Sequence, residues 1–268
     1  MRINLGLIGC GRIARLVHLS SIKNLGGVIR LSAVSDTDSG CANAAAKAMP
    51  GAKVYGDYKE LLGSENIDAV IICLPTFLHA EAASEAFSHG KHVYLEKPLA
   101  QNTKEATQVL EAWSKSGKAG MAGLNLRFNP IYKEMKEKID SGAVGGINSV
   151  RTVFTSSSRG LPEWKRKRAT GGGVLLDLAS HHADLARYMF GSEVAEVKAS
   201  MESRESEDDN AFMEMKMENG IYVQSFFSLN SADEDKIEVY GTKGKLTADR
   251  YNSFGVRFTP SGPVRGSL

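Results

Sequence analysis

The chain of 268 residues is short of cysteine, of long apolar runs and of any surplus of charge. Its three cysteines, Cys10, Cys41 and Cys73, are odd in number and widely spaced, which argues against a disulfide framework or a zinc ribbon and fits a reducing compartment. The opening "MRINLGLIGCG" has one basic residue and then an apolar run that glycine interrupts before it reaches signal-peptide length. No later run approaches a membrane span, and 33 basic against 31 acidic residues leave a net charge of only +2. Nothing in that balance calls for a nucleic-acid or membrane partner. Internal repeats and low-complexity tracts are also missing. The expectation is a cytoplasmic protein, of a length that suits two ordinary domains.

What is there begins with alternation. Short β-branched apolar runs at 3–9, 29–36, 52–55, 68–74, 92–96 and 119–124 are separated by Ala-rich segments with helical spacing, the pattern of βαβ units around a parallel sheet. The last of these helices, at 103–116, has Asn102 or Thr103 to cap it and Gly117 to stop it. Beyond about residue 124 the texture changes. One helix opens at Pro130 and stops at Gly142, and alternating runs between 147 and 248 predict an antiparallel sheet with hairpin turns at 218–220 and 242–244. A helix over 174–190 interrupts them.

The stretch "GCGRIA" (9–14) has the form G-x-G-x-x-A between the first strand and the first helix. There Gly9 makes a tight turn, Gly11 lets the backbone approach a pyrophosphate and Ala14 permits close packing of helix on sheet. Asp36 ends the second strand, where an acid accepts hydrogen bonds from adenosine ribose hydroxyls. With Thr37 and Asp38 following and no arginine beside them, a 2′-phosphate would meet carboxylates, so NAD is favoured over NADP. The same residues could serve only as a turn and a helix cap, but strand, loop, helix, strand and acid all fall in register.

Ligands of open α/β sheets bind beyond the carboxyl ends of the strands. "LPTFLHAE" brings Leu74, Pro75, Thr76 and His79 to that edge, and "EKP" brings Glu96 and Lys97, the lysine held on a backbone restricted by Pro98. In "GGGVLLDLASHHADLARYMF", Asp177, His181, Asp184 and Tyr188 form one polar helical stripe, while His182 falls on the apolar side. The two histidines therefore point apart, no H-E-x-x-H or C-x-x-C spacing accompanies them, and no metal is expected. His182 reads as a packed histidine satisfied by one hydrogen bond. His181 reads as a general base whose tautomer Asp177 can fix, and Asp184 as a structural acceptor.

Together these motifs, with "VSDTD", "GLNLRFNP" and "EVYGTKGKL", make the chain resemble the glucose-fructose oxidoreductase and inositol dehydrogenase family of NAD(P)-dependent sugar and polyol dehydrogenases. The resemblance implies an α/β protein with an N-terminal Rossmann parallel sheet (1–122) that binds NAD. A C-terminal α+β domain (123–268) with an open, mainly antiparallel sheet would bind substrate and make a homo-oligomer, dimer or tetramer. It implies a catalytic set of Lys97, Asp177 and His181, with hydride passing between a secondary hydroxyl of a sugar, inositol or related polyol and the nicotinamide. Cofactor-side residues are then Gly9, Gly11, Arg12, Ile13, Asp36, Leu74, Pro75, Thr76, His79, Glu96, Lys97 and Asn125. A scaffold of this kind also supports an NAD-dependent glycosidase or a non-catalytic NAD-binding sensor. Two departures stand out: Ala179 replaces a usual glycine, and the chain reaches "RFTPSGPVRGSL" without the closing strand and helix of longer members, so a C-terminally shortened domain is expected.

On the substrate side, Arg159, Lys165, Arg166, Lys167 and Arg168 form a basic run that reads first as a solvated loop. The alternative is that Arg168 or a neighbour, with Trp164, binds an anionic substrate group such as a sugar carboxylate or nucleotide-sugar phosphate, Arg127 and Tyr132 lining the same cleft beside Lys97, Asp177 and His181. The acidic stretch at 202–209 reads as a solvated hairpin.

Overall fold

The computed structural model describes residues 2–64, 66–157 and 160–262. The chain falls into two compact units, Met1–Gly123 and Leu124–Leu268.

In the first unit the expected alternation is realised as β1 (Ile3–Ile8), α1 (Leu19–Asn24), β2 (Ile29–Ser35), α2 (Ser39–Ala48), β3 (Lys53–Tyr55), α3 (Tyr58–Leu62), β4 (Ala69–Ile72), α4 (His79–Ser88), β5 (His92–Leu95), α5 (Thr103–Ser116) and β6 (Gly120–Ala122). All six strands are parallel in the order β3-β2-β1-β4-β5-β6. The order reverses between β1 and β4, and the loops after these two strands flank the crevice where such sheets take ligands. Small side chains bring helix close to sheet: α4 buries Ala80, Ala82, Ala83, Ala86 and Phe87 in a core that contains Val70, Ile72, Val93 and Leu95. Asn102 caps α5 by accepting the Glu105 amide at 3.0 Å, and Gly117 ends it in the left-handed conformation at φ +64°.

The second unit comprises α6 (Pro130–Asp140), β7 (Ile147–Thr155), α7 (Ser180–Phe190), β8 (Val194–Glu202), β9 (Asn210–Met217), β10 (Tyr222–Ser228), β11 (Glu234–Gly241), β12 (Gly244–Asp249) and β13 (Arg257–Pro260). Its seven strands run β13-β12-β11-β7-β10-β9-β8, antiparallel except where β7 meets β10 in parallel. Both hairpins form where expected, Met217 donating to the Ile221 carbonyl across the first. Alternate residues such as Met213, Met215, Val223, Phe227, Val239 and Leu246 share one core with Met135, Leu178, Leu185 and Met189 of the helical segments. On the outer face Phe212 stacks on Phe226 with ring centroids 5.0 Å apart.

Two expectations need correction. "RFTP" does form a strand, β13, paired along β12; all four of its residues are exposed, so no apolar alternation marks it in the sequence. The helix expected over 174–190 opens with a π-helical turn, Leu175–Ala179, before α7. The wider turn takes Asp177 out of the 3.6-residue register that placed it directly beneath His181. No helix among the described residues is long and apolar enough to cross a membrane.

Candidate functional site

The carboxyl edge of the first unit is built on Gly9. At φ +86° it adopts a conformation that favours glycine, and a Cβ there would lie 2.7 Å from the Cys73 carbonyl oxygen, so the loop rests directly on the end of β4. The turn aims the next amide at the acid after β2: Cys10 N–H donates to Asp36 Oδ2 at 2.7 Å, and Asp38 N–H donates to Oδ1 at 2.8 Å. Each oxygen has one backbone donor and a lone pair to spare for a ribose hydroxyl. A Cβ at Gly11 would meet nothing within 4 Å, so that face of the loop stays open to a pyrophosphate. Arg12 and Ile13 are exposed in the first helical turn that follows. The residues present thus fit the adenosine and pyrophosphate of a dinucleotide. Burial and the Asp36 charge push the Cys10 thiol up to about 12, which leaves it inert as a nucleophile.

At the ends of β4 and β5, Leu74, Pro75, Glu96 and Lys97 are half-buried and Thr76 is buried. Glu96 Oε1 lies 2.8 Å from His18 Nε2, and its Oε2 accepts the Lys97 amide at 3.2 Å. His18 partners Glu96 at this edge, a contact that the motif reading does not name. Its signal is helical spacing: with Ala14 and Ile22 it lies on the buried face of the segment after the glycine loop.

His79, expected at the cofactor, is 1% exposed, with Nδ1 2.7 Å from the Pro98 carbonyl oxygen and Nε2 2.8 Å from that of Leu74. Both ring nitrogens face the loops after β4 and β5. Burial holds its pKa below the ordinary value, against the pull of the two carbonyls.

In the second unit the glycine triplet sets up the helix. A Cβ on Gly172 would lie 2.3 Å from the Lys165 carbonyl oxygen, so only glycine lets the basic segment lie against the helix start. That segment is not simply solvated. Lys165 Nζ lies 2.8 Å from both carboxylate oxygens of Asp177, Arg168 N–H donates to Glu207 at 2.6 Å and its guanidinium is 3.4 Å from Asp208. Arg159 lies outside the described residues. The acidic stretch is structural too: the fully buried Asp209 accepts the amides of Arg204, Glu205 and Ser206 at 2.8–3.0 Å.

His181 is 9% exposed at the start of α7, with Phe154 tilted against its ring at 6.2 Å between centroids. His182 is the packed histidine expected, donating its Nε2–H to Asp235 at 3.0 Å and stacked on Phe154. Asp184 is the structural acceptor, gripped by the Arg127 fork. Of the two residues expected in the cleft, the part-exposed Arg127 pairs with Asp184, and the fully buried Tyr132 donates its hydroxyl to Asp235 at 2.6 Å. Trp164 is half-buried beside Lys165, and Asn125 is exposed at the start of the second unit.

A nucleotide-fitting glycine loop on a parallel sheet, and a second unit with a histidine helix over an open sheet, define a class of oxidoreductase. Residues 3–124 match the oxidoreductase family with NAD-binding Rossmann fold, and residues 132–247 match the GFO/IDH/MocA C-terminal domain. The chain belongs to this GFO/IDH/MocA family of NAD-binding oxidoreductases. It is 32% identical over 254 residues to the uncharacterized oxidoreductase YrbE of Bacillus subtilis (strain 168), covering 91% of this chain and 73% of that one. To the myo-inositol 2-dehydrogenase of Thermotoga maritima it is 30% identical over 275 residues, covering 99% of this chain and 80% of that enzyme. Among solved structures, GenD2 from gentamicin A biosynthesis, in complex with NAD, superposes with a TM-score of 0.87 at 28% identity, covering 95% of this chain and 74% of the other.

Proposed function

We propose that the protein is an NAD-dependent dehydrogenase acting on a secondary hydroxyl of a sugar, inositol or related polyol. The observation that carries the reading is the Asp36 carboxylate held against the glycine loop by the Cys10 amide, with acceptor capacity left for a ribose diol and a charge that opposes a 2′-phosphate. The myo-inositol dehydrogenase among its relatives supports the substrate class.

Bound NAD supplies the hydride acceptor at its nicotinamide. His181 takes the proton of the substrate hydroxyl, since a histidine suits proton transfer near neutral pH. Lys97 stabilises the developing alkoxide with its ammonium group, and Asp177 orients the donor groups around it. Trp164 and Arg168 line the substrate side, and Leu74, Pro75, Thr76, Glu96 and Asn125 the cofactor side.

The same reading makes the protein cytoplasmic, in keeping with its three unbridged thiols. It also makes it a homo-oligomer through the outer sheet face, where Val197 and Phe212 are 61% and 59% exposed. The test is NADH formation on adding NAD with a panel of inositols, hexoses and uronic acids. Turnover on one class supports the proposal; tight NADH binding with no turnover on any of them overturns it.

A further inference from the structure

The backbone between the glycine loop and α1 is not an ordinary helix. Leu19 N–H bonds the Ala14 carbonyl, five residues back, so Ala14–His18 forms a π-helical turn. The stretch "ARLVH" contains no glycine or proline to impose one, and such turns gather at functional sites. This one ends on His18, whose side chain is 10% exposed. Tyr94 stands edge-on to its ring at 5.4 Å between centroids, and Glu96 Oε1 lies 2.8 Å from its Nε2.

The Glu96 side chain is 14% exposed, and a carboxylate so far out of water needs donors. It takes the His18 ring on Oε1 and the Lys97 N–H on Oε2, the latter at 3.2 Å. Gly123 closes on it from another side: a Cβ there would lie 3.0 Å from the Tyr94 hydroxyl and 3.3 Å from Glu96 Oε2. Burial, reinforced by the Glu96 charge, pushes the Tyr94 phenol up to about 12 and raises the Cys73 thiol as well. Burial holds His79 below its ordinary value, so all three stay neutral near pH 7. Of these neighbours only Lys97 remains to carry charge beside the pair.

The link crosses the sheet. His18 follows β1 and Lys97 follows β5, with β4 between them, so the pair bridges the crevice at which the strand order reverses. It joins the segment after the nucleotide-fitting loop to the loop that carries the lysine. We propose that His18 is a positioning residue: it holds Glu96 in place, and Glu96 in turn fixes the backbone of Lys97. This rests on the role given to Lys97 above. Either protonation state of the ring supplies the N–H for the grip. Without it the carboxylate must take up a proton or turn toward water, and the Lys97 amide loses its charged acceptor.

His18→Leu and His18→Gln test this in the full chain, with His18→Met in reserve should the leucine variant fold poorly, as judged by its melting curve. Hydrogen exchange at the Lys97 amide, with and without NADH, reads the loop in the absence of turnover. Leucine at 18 should speed that exchange roughly tenfold, and glutamine, which returns an N–H donor, should restore most of the protection. With NAD and the preferred polyol, His18→Leu should lower kcat roughly ten- to a hundredfold while the NADH dissociation constant stays within about threefold. The acid limb of its pH profile should lie at higher pH than in wild type, because Glu96 without its donor ionises later. Unchanged exchange in a folded leucine or methionine variant, or full turnover by it, overturns the inference. Faster exchange in a protein whose wild type turns over no polyol would keep the link and sink the dehydrogenase; wild-type turnover that His18→Leu leaves intact would do the reverse.

Discussion

His182 and Asp235 meet at 3.0 Å with neither side chain exposed at all. Asp235 also takes the Tyr132 hydroxyl and the Arg250 guanidinium, so one carboxylate ties α7, α6 and the end of β12 together. Burial pushes its pKa up, but these donors outweigh it and the group is held below its usual range. Removing one member leaves the others buried and unmatched, so Asp235→Ala should cost roughly 3–5 kcal/mol. Urea unfolding checks this; a loss under 1 kcal/mol would mean the donors find other partners.

Asp36→Arg removes the ribose acceptor and supplies a partner for a 2′-phosphate. NAD affinity should fall roughly tenfold or more while the ratio of NADP to NAD affinity rises. Fluorescence titration of NADH and NADPH reads both, and an unchanged ratio would remove Asp36 from cofactor selection.

His181→Ala should lower turnover by about 10²–10⁴ and leave the NADH dissociation constant within about threefold. Stopped assays with the preferred polyol, paired with NADH titration, measure the two effects separately. Full activity would exclude His181 as the proton acceptor.

His79 spans two carbonyls, so His79→Phe should free the loop that carries Lys97 and reduce turnover together with melting temperature, with His79→Gln falling between. Its folded pKa lies below the ordinary 6.5, so above that pH the ring is neutral, donates its one N–H to one of the two carbonyls and contributes stability that is lost as pH falls toward the folded value. Melting temperatures from pH 8 to 5 should show a decline in wild type that is weaker in His79→Phe.

Asp209 carries the opposite ionisation. Burial raises its pKa, yet the three backbone amides and Asn210 prevail and hold it below the ordinary 3.8. Stability from this group is present above that value and lost as pH falls through the folded pKa. Asp209→Ala should cost about 2–4 kcal/mol at pH 7 by stranding buried amides, and the gap to wild type should narrow below pH 4. Denaturant melts at pH 7 and pH 3 decide; a gap independent of pH would mean the carboxylate's charge plays no part.

Most of the first unit was legible because strand and helix periods alternate cleanly, and Asp36 was legible because a strand end fixes its place relative to the glycine loop. The helix boundaries at Asn102 and Gly117 were legible for the same local reasons. The pairings were not. Lys165 with Asp177, Arg127 with Asp184 and His18 with Glu96 join residues from different elements, and no periodicity reports such partners. Tyr132 and Arg127 read as surface groups because they are polar; their carboxylate partners, Asp235 and Asp184, lie far away in sequence. β13 escaped notice because an edge strand exposed along its length needs no apolar pattern.

The parallel contact of β7 with β10 has a consequence for synthesis. Both neighbours of β7, β10 and β11, come from sequence more than sixty residues downstream, so a chain emerging from the ribosome carries β7 with neither edge occupied until Tyr222 and beyond have been made. Meanwhile α7 and the hairpin of β8 and β9 are already out, and the histidine helix precedes both strands that will flank the middle one. Such late, long-range closure is slow and leaves an open edge for other chains to join, so the newborn protein is most vulnerable to aggregation just before its middle strand is enclosed.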